Sequence, residues 1–120
     1  LIRKKHREGK MAGMDVSELV SNMLNAAKDV LGRKWPEAKD YAETAFAQIG
    51  EAISFIETQR ALGKMSDEKA RLHLEIQKNT SKTIMLTLEG LGIVAVEATI
   101  NAALKVIKDT VNTALGFVLI

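Results

Sequence analysis

The sequence predicts an all-α fold, a small bundle of three to four helices with a long, highly apolar helix in its C-terminal half. Three observations predict it. Apolar residues recur at helical spacing through most of the chain, the 120 residues include a single proline, and aromatic residues make up only 4%. Plentiful alanine and aliphatic side chains suit close helix packing, whereas strands of β-sandwiches favour Tyr, Phe, Trp and Thr. A chain of this length buries one core rather than two. Residues 15–120 therefore read as a single helical domain behind a basic N-terminal arm, residues 1–14.

The first helix starts at Asp15-Val16-Ser17-Glu18, where Asp15 is placed to accept amide hydrogens and Glu18 stands at the capping-box position. Val16, Leu19, Val20, Met23, Leu24, Ala27, Val30 and Leu31 then follow the 3.6-residue period, with Ser21, Asn22, Asn25, Lys28 and Asp29 left toward solvent. Gly32 is the expected C-terminal cap, and Arg33 and Lys34 add charge where the helix dipole is negative.

Pro36 fits the first position of a second helix, because an amide hydrogen there has no intrahelical partner to lose. Its seam runs Ala42, Ala45, Phe46, Ile49, Ile53, Ile56 and Arg60, with Glu43, Gln48, Glu51 and Thr58 outside. Tyr41 and Phe55 lie roughly opposite, so the helix buries two faces or carries a half-exposed aromatic patch. Gly63 ends it. Ser66, followed by Asp67 and Glu68, caps and charges a third helix, whose first turns read as amphipathic through Ala70, Leu72, Leu74 and Ile76.

Asn79-Thr80-Ser81 is a weak point, since these side chains compete for backbone hydrogen bonds, and a kink, a break or an exposed turn is expected there, with Gly90–Gly92 the other candidate for a kink. Asn79-Thr80-Ser81 also fits the glycosylation pattern, which carries meaning only in a secreted chain. From Lys82 to Leu115 the wheel gathers Thr83, Glu97, Asn101, Lys105, Lys108 and Asn112 into one polar stripe. Apolar residues cover most of the remainder. A helix apolar around most of its girth must be enclosed by other helices, a second subunit or lipid. Glu89 is the exception, falling among Met85, Val96, Ile100 and Ile107, where a charge is costly unless paired.

The residue inventory argues against most chemistries. There is no cysteine, which removes disulfides, thiolate nucleophiles and cysteine metal sites, and a reducing, cytoplasmic setting is the expectation. Gly90-Leu91-Gly92-Ile93-Val94-Ala95 matches G-x-G-x-x-A, but without a βαβ context its glycines read as close-packing or bending positions. Gly63-Lys64 is no P-loop, because Thr58 stands at the upstream glycine and Met65 follows the lysine. Glu43, Glu51, Glu57, Glu89, Glu97 and His73 invite a di-metal carboxylate site, yet no Glu-x-x-His pair exists and His6, the other histidine, is in the arm. No catalytic residue, cofactor or metal is assigned, and an enzyme is not expected. The sequence carries no motif specific enough to name a family.

The expected function is that of a non-enzymatic helical module acting by helix–helix interaction, self-associating as a homo-oligomer with a dimer favoured. Candidate interface residues are Leu86, Glu89, Gly90, Gly92 and Ile93, then Val96, Ile100 and Ile107 on the apolar helix, and Phe117 and Leu119 in the tail. That tail is an alternative dock for a second protein. A membrane-associated or pore-forming role for residues 83–120 is weaker, since Glu89, Glu97, Lys105, Lys108 and Asp109 leave no charge-free stretch approaching the ~20 residues of a span. Residues 1–10 hold five basic side chains and one acid, leaving 12 basic and 14 acidic groups to the other 110 residues. Arg3, Lys4, Lys5 and Arg7 are candidate anion contacts, though nucleic acid is an unfavoured partner for the slightly acidic body. The arm otherwise reads as inert and solvated, natural or added for expression.

Overall fold

A computed structural model of the chain describes residues 10–11 and 14–120. Among them Lys10–Met11 and Met14–Asp15 form a two-residue antiparallel pair, β1 and β2, and everything larger is helical. Helix α1 spans Val16–Leu31 and starts where the extended Asp15 accepts from the amides of Ser17 and Glu18, at 3.1 and 3.3 Å. That carboxylate satisfies two of the donors a helix start leaves open. Leu19, Met23, Ala27 and Leu31 form its buried stripe. The amide of Gly32 bonds back to the carbonyl of Lys28, and a 3₁₀ turn, Gly32–Lys34, leads into α2, Trp35–Ala61.

Helix α2 is the longest element and the spine of the core. Ala38, Ala42, Ala45, Phe46, Ile49, Ile53 and Ile56 are all fully buried. Its alanines and Gly50 let neighbours come close: a Cβ on Gly50 would stand 3.0 Å from Val16 Cγ1 and 3.1 Å from Val20 Cγ2. A side chain there would require Val16 and Val20 to give by a few tenths of an ångström. Helix α3 spans Asp67–Leu86, capped by Ser66 Oγ accepting from the Lys69 amide at 3.1 Å. Helix α4 spans Ile93–Leu115.

Each helix runs antiparallel to its neighbours. The α1–α2 turn folds Val16 and Val20 onto Gly50. Ser81 meets Ala45 across α3 and α2, while Lys82–Glu97 and Arg71–Val118 tie α3 to α4 and its tail. Helix α1 packs against both α2 and α4, and α3 packs more heavily on α2 than on α4. The order around the core is therefore α1, α2, α3, α4. Met14, from β2, joins that core at 1% exposure.

Two expectations need correction here. The stretch from Lys82 to Leu115 is not one long helix: it ends as a helix at Leu86, turns through Thr87–Gly92 and restarts at Ile93. Gly90 has φ +89° and makes the turn, while the space beside it is taken by Lys34 Nζ, 3.2 Å from where a Cβ would lie. An L side chain rarely adopts that conformation. Asn79-Thr80-Ser81, by contrast, is continuous helix. The hydroxyls of Thr80 and Thr83 donate back to the carbonyls of Ile76 and Asn79, and buried Ser81 donates to the Ala45 carbonyl at 2.8 Å. Competition for backbone groups is thus resolved within the helix or across it.

Candidate functional site

The hairpin between α3 and α4 redistributes the expected interface. Val96, Ile100 and Ile107 are buried in this chain's own core, against α1, so they cannot form a docking surface. The tail is closed down as well. Asn112 Oδ1 accepts from the amides of Leu119 and Ile120 at 2.9 and 3.1 Å, and Leu119 is buried. Arg60 stacks over the Phe117 ring at 3.9 Å, and Arg71 Nε donates to the Val118 carbonyl at 2.9 Å. Leu86, Glu89, Gly90, Gly92 and Ile93 remain at the surface, gathered around the turn with Val94, which is 78% exposed. Glu89 is in solvent rather than in an apolar ring, because the broken helix removes it from the wheel on which Val96 and Ile107 surround it. Arg3, Lys4, Lys5 and Arg7 lie outside the described residues.

A second exposed apolar surface lies on the outer side of the α2–α3 pair. Helical spacing splits the first turns of α3: Ala70 and Leu74 point inward, while Leu72 and Ile76 are 61% and 50% exposed. On α2 Phe55 is 47% exposed, and Leu62, just past the end of that helix, is 59% exposed. The Phe55 and His73 rings are 5.1 Å apart and tilted, which puts Leu72 and Ile76, one residue before and three after His73, at the level of Phe55. A shallow hollow of about 240 Å³ beside Phe55 and His73 is lined by those two with Gln48, Glu51, Ala52 and Gln77, and Leu72 and Ile76 lie outside its lining. Phe55, Leu72 and Ile76 are exposed, uncharged apolar side chains, the kind found in protein interface cores, where charged residues are depleted.

The third feature is at the opposite end of α2 from its proline. Among the described residues the buried polar side chains are Glu57, Ser81 and Thr99. Ser81 is satisfied by the Ala45 carbonyl, and Thr99 donates to the Ala95 carbonyl at 2.7 Å. Glu57 is 6% exposed, and neither carboxylate oxygen has a hydrogen-bond partner among the described residues. Desolvation by burial raises its carboxyl above the ordinary range. With Arg60, Ala61, Ala114 and Leu115 it lines a hollow of about 250 Å³. Arg60 is committed elsewhere, to the Asp67 carboxylate at 2.5 Å, the Met65 carbonyl at 3.4 Å and the Phe117 ring.

Among the described residues no group of three or more His, Cys, Asp or Glu side chains is placed to hold a metal ion. No helix there is long and apolar enough to cross a membrane. The chain matches no protein-family model, no curated protein and no solved structure.

Proposed function

We propose that the chain is a non-enzymatic helical module that acts by helix–helix contact, with a second copy of itself as the first partner, through the α2–α3 face. The carrying observation is the placement of Phe55 on one helix level with Leu72 and Ile76 on the other. A two-fold axis running along the α2–α3 groove would seat each Phe55 on the partner's Leu72 and Ile76. The same patch then serves both subunits, as an isologous interface requires. Removing half-exposed side chains of this size from water contributes about 1 kcal/mol each.

Sedimentation of the full chain in detergent-free buffer tests the reading. The wild type is expected to dimerise at micromolar concentration. Leu72→Glu combined with Ile76→Glu should shift the species to monomer, weakening association by at least about 100-fold, the equivalent of ~2.7 kcal/mol. Both positions are exposed, so helicity should be unchanged. A compact wild-type monomer over the whole concentration range contradicts the proposal.

A further inference from the structure

The hollow around Glu57 has no part in the α2–α3 face. An ionised carboxylate taken from water with nothing to replace its hydration is costly, and buried charges in native proteins are paired, hydrogen-bonded or neutralised. In this bundle the other buried polar side chains obey that rule. Glu57 does not, although a guanidinium, that of Arg60, lies one helical turn away on the same helix. Two other charged groups at this end of the bundle are engaged elsewhere: Asp67 pairs with Arg60, and Arg71 bonds to the tail carbonyl. The acceptor is therefore left unpaired beside a hollow whose other walls are the apolar Ala61, Ala114 and Leu115 and Arg60, whose guanidinium is engaged by Asp67, the Met65 carbonyl and the Phe117 ring.

We infer that this hollow is a binding site for a guanidinium group carried on an aliphatic stem, with Glu57 accepting the charged head and Ala61, Ala114 and Leu115 flanking the methylenes. Two carboxylate oxygens without donors match the two parallel N–H bonds that a planar guanidinium supplies. Guanidinium is also less strongly hydrated than ammonium, which suits a carboxylate closed to bulk water. The apolar walls suit a (CH₂)n stem in the way that arginine stems lie along apolar surface. The same chemistry comes from a free alkylguanidine or from an arginine side chain of a peptide.

The test uses the full chain and two probes, n-butylguanidinium and the capped tripeptide Gly-Arg-Gly, with n-butylurea as the neutral control, read on the methyl resonances of Ala114 and Leu115. Saturable shifts with at least one cationic probe, none with the urea, and at least tenfold weaker binding in Glu57→Gln are expected. Butylguanidinium alone would point to a small-molecule ligand, and both probes to an arginine side chain. Binding should tighten as pH rises through the titration of Glu57, because the probe stays charged and the acceptor must be ionised. A second variant, Ala114→Leu, keeps the carboxylate and fills the hollow, and it should abolish the shifts even if Glu57→Gln changes the fold. No saturable response in the wild type, or equal responses to butylurea and butylguanidinium, would overturn the inference. So would retention of wild-type affinity in Ala114→Leu.

Discussion

Glu57 and Glu89 place the same carboxylate in opposite surroundings. Glu57 lies on the flank of the α2 seam, next to Ile56, and the last turn of α4 closes over it. Glu89 lies in the Thr87–Gly92 turn, where the chain leaves one helix and enters the next, and water reaches it freely. The difference teaches that burial of a charge here is decided by which element ends where, not by the apolar company a side chain keeps along its own helix. Ser81 sharpens the point. It is as deeply buried as any residue in the protein, yet it is satisfied because α2 presents a carbonyl to it.

The largest effect should come from Glu57. Replacing an unsatisfied buried polar group by an apolar one of similar shape removes its desolvation penalty, so Glu57→Leu is expected to raise stability at neutral pH by about 1–3 kcal/mol in denaturant unfolding. The pH dependence has a definite sign. A carboxyl whose folded pKa is raised binds its proton more tightly in the native state, so stability falls as pH rises from the unfolded value, 4.5, through the raised folded value. In Glu57→Gln that slope should vanish, and stability should exceed the wild type on the alkaline side of the window. Next comes Ser81→Ala, which removes a satisfied buried hydroxyl and should cost about 1 kcal/mol by the same unfolding measurement. A gain in stability from Ser81→Ala would mean that its bond to Ala45 contributes nothing. Glu89→Gln should be smallest, within about 0.5 kcal/mol at neutral pH, as for exposed substitutions generally.

Much of the fold is legible in local chemistry. The Asp15 cap, the period from Leu19 to Leu31, Gly32 and the Ser66 cap each specify a helix boundary from neighbouring residues alone, and the structure places all of them in those roles. The α3–α4 hairpin is less legible. Gly90 and Gly92 are its signal, but glycine serves close packing as readily as a left-handed turn, and the wheel over Lys82–Leu115 presumes continuity. Once the turn forms, the chain supplies from α1 and α3 much of the cover that an unbroken apolar helix would need from outside. That is why Val96, Ile100 and Ile107 end in the protein's own core.

The candidate sites were legible only in part. Phe55 lies opposite the α2 seam by spacing alone, and it is exposed. Leu72 and Ile76 alternate with Ala70 and Leu74, and only the relation of α3 to α2 separates the inward pair from the outward one. Glu57 neighbours Phe46 and Gly50 on the wheel, so a flank position is readable. Its burial depends on Ala114 and Leu115, more than fifty residues away in sequence, and no local pattern carries that.

Equilibrium unfolding of the wild type, Glu57→Gln and Glu89→Gln, with the first two followed from mildly acidic to neutral pH, tests most directly the claim that the unsatisfied charge of this bundle is Glu57. The account predicts a falling wild-type curve, a Glu57→Gln curve without that fall and above it at neutral pH, and a Glu89→Gln value at neutral pH indistinguishable from wild type. A Glu57→Gln curve superimposed on the wild type, with Glu89→Gln displaced from it, would contradict the account.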